Sequence, residues 1–550
     1  MDRRVLWAVA LMIVIAVVPS VFIKRPPRPV PAQQAPASDS ATRSTDSIPR
    51  LSGESIAPDS SLQGHVVQVT SPLYSYGIST QGGRLVDITL PRYKSFAKTD
   101  PGKTVQVLLP ESDLLGLKLL VGSDTLRLNR WVFTPSAETL TASPATPLTL
   151  TASRGGVDVN LTYRFDPASY LFTVEGQVNG LGPNGAVLLV GMGPGIRNTE
   201  ADSIDNLRQL AVVTKSNGAT ATHFSKLNAG QTTAFPGPFD WVAVKSKYFV
   251  NAIFTLDTTR ARISGATATP PATAGKAPTR ADIEVSMPLT ADGKFGYQVY
   301  AGAMEYRRLS QIGHDFDDVN PYGWPGLRTV IRPVAVAVRS LLLWMHDHLH
   351  LAYGVVLVCF GIMIRLILWP LNQKAMRSSM AMQAIQPMLK EIQEKYKNEP
   401  QKLQQEMFKI YKEHGVNPFG GCWPLLIPMP VLFALFFVFG NTIELRGESF
   451  LWLPDLSRPD PHYIVPVLMG LSMFVLSKVG SRGMPPSPQT KMMMYVMPVM
   501  MTLLFLNFAS GLNLYYAVQN TASIPQQWLL SNERLRRNIQ PPPAPPKLKK

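Results

Sequence analysis

The sequence predicts a polytopic α-helical membrane protein with six transmembrane helices and a large external antiparallel β-sandwich domain. Three observations predict it. Long apolar runs recur after about residue 350, period-two alternation of apolar and polar residues dominates the stretch before about 320, and basic residues gather in alternate loops of the apolar half. The chain has 550 residues, 45% hydrophobic and 16% charged, with a formal net charge of +16. The basic residues flank apolar runs, so anionic lipid headgroups, topology control and ribosomal RNA compete to explain the charge; DNA is not among the expected partners. Cys359 and Cys422 both lie in or beside apolar runs, and no disulfide framework or Cys-rich metal site can be read from two residues.

Residues 1–24 read as an N-terminal transmembrane anchor. Arg3 and Arg4 precede an apolar run from Val5 through Val18 that continues to Ile23. A secretory signal has the same order of features, but this run is long for one and PSVFIKRPPR offers no small-x-small cleavage site. On either reading, the next part of the chain is delivered across the membrane. Residues 25–58 are rich in Pro, Ala and Ser, which cannot bury a core, and read as an extended linker.

Residues 59–320 carry the strand signals. Val157, Val159, Leu161, Tyr163 and Phe165 alternate with polar residues after the Gly155-Gly156 turn; Phe172, Val174 and Val178 continue on a second strand. Ile283, Val285 and Met287 alternate, as do Phe295, Tyr297 and Val299, and Gly82-Gly83 separates two further β-like runs. Short strands at this spacing suggest a large sandwich. The glycines of VGMGPGIRN are not followed by a helical pattern, so a loop is expected there rather than a nucleotide site. His65, His223 and His314 stand apart from one another in sequence without Asp or Cys company. A binding or scaffolding role fits this domain, and no catalytic residue, cofactor or metal is expected.

Over 321–350 the period changes to three or four: Leu327, Ile331, Val334, Val338, Leu341, Leu342 and Met345, with Arg328, Arg332 and Arg339 among them. This pattern predicts an amphipathic helix lying in the membrane interface, the alternative being a helix packed on the β domain. His346 and His350 are i,i+4 neighbours and read as a solvated helix end.

Residues 351–530 are expected to form a five-helix core, with spans near 353–371, 424–441, 463–477, 492–508 and 512–530. Several are short and contain proline, which neighbouring helices or water must accommodate. Lysines and arginines crowd the loop between the first two of these spans, the loop between the third and fourth, and the basic tail 531–550. These three segments are therefore assigned to the cytoplasm, which puts both termini there and the β domain outside. The loop 373–415 is itself patterned as a helical hairpin broken at Asn398-Glu399-Pro400, with Met382, Met388 and Met407 on its apolar faces. Those faces suit variable apolar partners or bury each other.

Arg365 stands alone in the run YGVVLVCFGIMIRLILWPL, whose nineteen residues make a helix of roughly 28 Å, close to the hydrocarbon thickness. A central arginine costs ~2.5–3.5 kcal/mol on insertion scales. It either snorkels to the nearby interface as an anchor or faces water inside the bundle.

The order of parts, with RLILWPLNQKAMRSSMAM (365–382), VNPFGGCWPLLIPMPVLFALF (416–436), YIVPVLMGLSMF (463–474) and ASGLNLYYAVQN (509–520), resembles the YidC membrane protein insertases of Gram-negative bacteria. The resemblance implies an insertase and chaperone without ATP that acts alone or beside the Sec translocon, on nascent membrane proteins within the phospholipid bilayer of the inner membrane. It implies a hydrophilic groove containing the arginine that Arg365 matches and the aromatic pair that Tyr515 and Tyr516 match. It also implies substrate reception by the hairpin and ribosome binding by the basic tail, which is short here. Ala509 stands where the family usually has proline. Asn513, Gln519 and Asn520 are expected to wet the same groove, together with Asn507, Thr521 and Ser523. Two other classes carry a mid-membrane charge or an external sandwich: a secondary transporter, for which no internal repeat is visible, and a membrane-anchored envelope scaffold or carbohydrate-binding protein.

Overall fold

The structure is a computed structural model. It describes residues 64–539 apart from 123, 182–185, 257–261, 276, 324–325, 374–384, 416–428 and 484–490, and at 386, 387 and 537–539 the backbone alone. The expected anchor and linker, the stretch 374–382 with Met382, and the start of the span at 424 lie outside the described residues. The chain divides into two compact units at Pro321/Tyr322.

The first unit is built of nine-, six- and five-stranded sheets. The middle of the nine-stranded sheet runs, in spatial order, Trp241–Lys245, Phe249–Thr255, Lys294–Ala303, Leu171–Asn179, Val157–Phe165 and Leu148–Arg154, all antiparallel. Val157–Phe165 buries every second residue because its period-two pattern puts all its apolar side chains on one face. Tyr76, on Ser75–Ser79 of the five-stranded sheet, joins that core beside Phe165 and Phe172, ring centroids 6.3 and 5.7 Å away. Its hydroxyl donates to the Ala301 carbonyl at 2.6 Å, and that of Tyr163 to the Gly83 carbonyl at 2.6 Å, so these buried phenols are satisfied. VGMGPGIRN is a loop after the strand Ala186–Gly191, with left-handed Gly193 and Gly195 and no helix opening on it.

Phe249–Thr255 is buried along its whole length because the sheet is covered on both faces. Helix α1 is the short Ser203–Arg208, and α2, Tyr306–Ile312, leads into the turn Phe316–Val319. Phe316 packs edge-on against Trp241, Phe254 and Tyr300. Beneath this cover, Lys245 is 2% exposed and donates to Asn320 Oδ1 at 3.0 Å. Burial pushes its ammonium down to about 8.

The second unit is helical: α3 (Arg328–Leu349), α4 (Tyr353–Ile367), α5 (Gln386–Lys395), α6 (Pro400–Glu413), α7 (Met429–Asn441), α8 (Ile464–Gly480), α9 (Met497–Phe505, continuing a π-turn over Met492–Val496) and α10 (Ser510–Ile539). Among the described residues, α3 is the helix long and apolar enough by length and composition to cross a membrane; α4, α7 and α8 have 15, 13 and 17 residues. One side of α3 is buried and it packs along α7, while Val330, Trp344 and Leu349 are exposed. The buried side includes Arg339, which donates to the Tyr322 hydroxyl and lies over that ring at 4.8 Å.

The regular bonding of α4 stops at Ile367 because Pro370 has no N–H and its ring crowds the carbonyl of residue 366. Helix α10 packs along both α8 and α4 and runs past the expected end of its span at 530. Arg534 explains the extension: its guanidinium donates to the carbonyls of Gly480 at 2.9 Å and Arg482 at 3.1 Å, closing the end of α8. At its other end, Ser510 N–H donates to Arg458 O (2.7 Å), its hydroxyl to Asp455 O (3.1 Å), and Gly511 N–H to Leu456 O (2.9 Å). A Cβ on Gly511 would stand 2.7 Å from the Phe439 ring, which is why the residue after Ser510 is glycine. The hairpin forms from α5 and α6, whose faces bury Ile385, Leu389 and Ile410 together with Met407 and Tyr411.

Two outcomes are expected. Between pH about 8 and the ordinary lysine value near 10.5, the unfolded chain holds a proton on Lys245 that the folded chain does not, so folding stability rises with pH across this window, by about 3 kcal/mol in all. Thermal unfolding of the full-length protein and of Lys245→Met should differ most below pH 8 and converge towards pH 10.5. Separately, a Cβ on Gly354 would lie 2.1 Å from the Phe450 ring. Gly354→Ala should therefore lower stability by ~1–3 kcal/mol, and Phe450→Ala should recover part of the loss in the double variant, as measured by thermal unfolding.

Candidate functional site: a half-buried arginine between two helices

Arg365 lies in the last turn of α4, facing α10. Its Nη2 donates to Gln526 Oε1, and the Gln526 amide donates in turn to the Trp369 carbonyl at 3.1 Å. Gln526 is 1% exposed. The amide therefore bridges the guanidinium to the Trp369 carbonyl, just beyond the end of α4. No carboxylate pairs with Arg365 among the described residues, and its Nε is buried without a hydrogen-bond partner among them. A half-buried guanidinium held by one neutral amide keeps most of its capacity for an anion or water.

Tyr515 is buried within electrostatic reach of Arg365, its ring 5.6 Å from Phe360 and 5.3 Å from Tyr516. Tyr516 turns towards α9, 5.7 Å from Phe505. Gly361 allows the approach of the two helices: a Cβ there would meet Val518 at 3.1 Å and Tyr515 at 3.6 Å. Asn520 donates to Ser472 Oγ on α8 at 3.2 Å, and Gln519 is half-buried, its carbonyl accepting the Ser523 hydroxyl at 2.6 Å. Asn513 belongs elsewhere. It is fully buried near the start of α10, thirteen residues or about 20 Å from Gln526, and its amide donates to Phe505 O at 3.0 Å, closing the end of α9. Asn507 and Thr521 are exposed. The structure thus joins Arg365 with Tyr515 and Gln526 and sets Asn513 apart as a helix-end bond. In the hairpin, Met407 packs into the small core, Met388 is exposed, and Met382 lies outside the described residues.

Sequence reading passed over Gln526. Its signal was present: Tyr515, Gln519 and Gln526 are spaced i, i+4, i+11, one face of an α-helix.

A β-sandwich unit followed by a bundle of apolar helices, with a half-buried arginine in one of them, has the parts of a membrane-embedded protein with a large extramembrane domain. Residues 66–334 match the family described as the YidC periplasmic domain, and residues 344–537 match the family described as the 60Kd inner membrane protein. The membrane protein insertase YidC of Chlorobaculum tepidum is 33% identical over 67% of this chain and 65% of its own length; that of Chlorobaculum parvum is 33% identical over 72% and 69%. A solved structure of an active YidC insertase with its first transmembrane domain resolved aligns over 84% of this chain and 91% of that one, at 18% identity and TM-score 0.35. The chain belongs to the YidC family and is an inner-membrane protein with a periplasmic β-sandwich domain. The match to the first of these relatives spans just under two thirds of its length.

Replacing Gln526 by Leu leaves the guanidinium without its amide. Gln526→Leu should destabilise the protein by ~1–3 kcal/mol, and in the Arg365→Leu background the same change should cost much less; a double-mutant cycle on thermal unfolding measures the coupling.

Proposed function

We propose that the protein inserts and folds inner-membrane proteins, alone or with the Sec translocon, by offering Arg365 as a positive charge in a hydrophilic groove within the membrane. The single observation that carries this reading is the Arg365–Gln526 arrangement: a half-buried cation on a neutral amide, with a buried spare N–H and no acidic partner among the described residues. The names of the relatives support the activity. In this reading six helices cross the membrane, both termini are cytoplasmic, and the short helices thin the bilayer locally. A client's short external segment enters beside Arg365 and need not cross the full hydrocarbon thickness. Acidic residues in it are attracted to the guanidinium, and the membrane potential, positive outside, adds ~2.3 kcal/mol per charge per 100 mV for a full crossing. The client's apolar helix then leaves along α7 and α9 into lipid, driven by apolar burial. The hairpin, with Met388 and Phe408 exposed, receives clients on the cytoplasmic side, and the tail contributes to ribosome binding. No nucleophile, metal or nucleotide enters this scheme.

Arg365→Ala should reduce insertion of clients with acidic external tails several-fold, and Arg365→Lys should retain most of it; neutral-tailed clients should be spared. Protease mapping of a short single-span client in inverted vesicles, after depletion of the wild-type protein, measures this. Normal insertion of every client by Arg365→Ala would sink the groove-charge mechanism.

A further inference from the structure

The loop between α7 and α8 ends in a tip that nothing in the proposed function uses. Phe450 and Leu453 exchange backbone hydrogen bonds, each 2.9 Å, and so close a two-residue turn over Leu451 and Trp452. Leu451 has φ 55°, a left-handed conformation that such turns normally give to Gly or Asn, and its side chain is 76% exposed. The residue type thus opposes both the backbone and an aqueous setting. The loop is firmly built. Asp455 accepts the Ser457 N–H at 2.8 Å and its hydroxyl at 2.7 Å, and the stretch is bound to Ser510 and Gly511 of α10. The tip is presented by a rigid base.

We propose that Leu451 and Trp452 form a lipid-seated anchor, inserted at the boundary of headgroups and acyl chains at their end of the bundle. Two placements commit the tip to lipid. Phe450 fills the notch at Gly354, in the first turn of α4, so the tip stands level with the end of an apolar span. Trp452 Nε1 donates to Asp460 Oδ2 at 3.4 Å, and Asp460 also accepts the backbone N–H of Val465 at 2.8 Å and of His462 at 3.0 Å. The tip is thereby tied to the start of α8, whose outer face exposes Tyr463, Ile464, Val467, Leu468 and Leu471. The apolar surface of the tip continues a surface that, in a membrane-spanning bundle, lipid covers. A tryptophan with its N–H bonded and its ring exposed suits this boundary. The anchor would fix the depth of two short helices whose own length specifies it poorly. The inference rests on the membrane-spanning reading above.

The test uses the full-length protein, with Cys359→Ala and Cys422→Ala, in vesicles of phosphatidylethanolamine and phosphatidylglycerol. An environment-sensitive fluorophore is placed at Leu451→Cys, at Leu468→Cys on the outer face of α8, and at Arg458→Cys on the exposed part of the loop. The Leu451 probe should be quenched several-fold more by lipid carrying a nitroxide near the headgroup than at the acyl end, and should resist aqueous iodide. Iodide quenching equal to that at Arg458 would overturn the anchor, as would protection from both quenchers, which marks a protein surface over the tip. Failure of lipid quenching at Leu468 as well would instead bring down the membrane-spanning reading, and the anchor with it. Without any label, the tryptophan emission lost in Trp452→Phe should be the component quenched by lipid brominated near the headgroup; an unquenched component would also overturn the proposal.

Discussion

A guanidinium half-buried among apolar helices constrains the rest of the helical unit. Arg365 cannot be left to hydrocarbon, and the bundle meets it with an amide. The Gln526 side chain is useful because it is both acceptor and donor: its oxygen takes the arginine N–H and its nitrogen satisfies the Trp369 carbonyl. A carboxylate in its place would pair the charge fully and leave nothing for a visiting anion. The neutral partner holds the cation in position without neutralising it.

That arrangement requires α10 to lie close against α4, and the bundle is organised accordingly. Gly361 removes the side chain that would keep them apart, and Gly354 does the same for the Phe450 ring. Helix α10 is fixed at both ends by hydrogen bonds to other segments, through Ser510 and Gly511 at one and Arg534 at the other. Asn513 and Asn520 extend the pattern, one closing α9 and the other reaching Ser472 on α8. Polar groups on this helix serve two purposes that look alike in sequence: some hold helix ends and backbone carbonyls, and one meets the charge.

The β-sandwich follows different rules. Its order comes from alternating strands and an aromatic core whose hydroxyls reach backbone carbonyls across sheets. One of its buried cations, Lys245, is also met by an amide, that of Asn320. Lysine loses its proton when desolvated, whereas arginine retains its charge under the same treatment.

The strands of the sandwich were legible because period two is a property of neighbours: Val157–Phe165 buries the residues its alternation marks. The break of the hairpin at Pro400 and the loop at VGMGPGIRN were legible for the same local reason. Sequence by itself also determined that Arg365 lies in an apolar helix and that a polar face accompanies Tyr515. It did not separate Asn513, which closes a helix end, from residues beside the arginine, and it passed over Gln526, because those roles depend on which helices touch and at what height. The continuation of α10 to Ile539 was hidden likewise, since its cause is a carbonyl of Gly480, fifty-four residues away. Periodicity fixes which face of an element is apolar; only tertiary packing decides which polar group on that face meets a charge, because that pairing is made across helices distant in the chain.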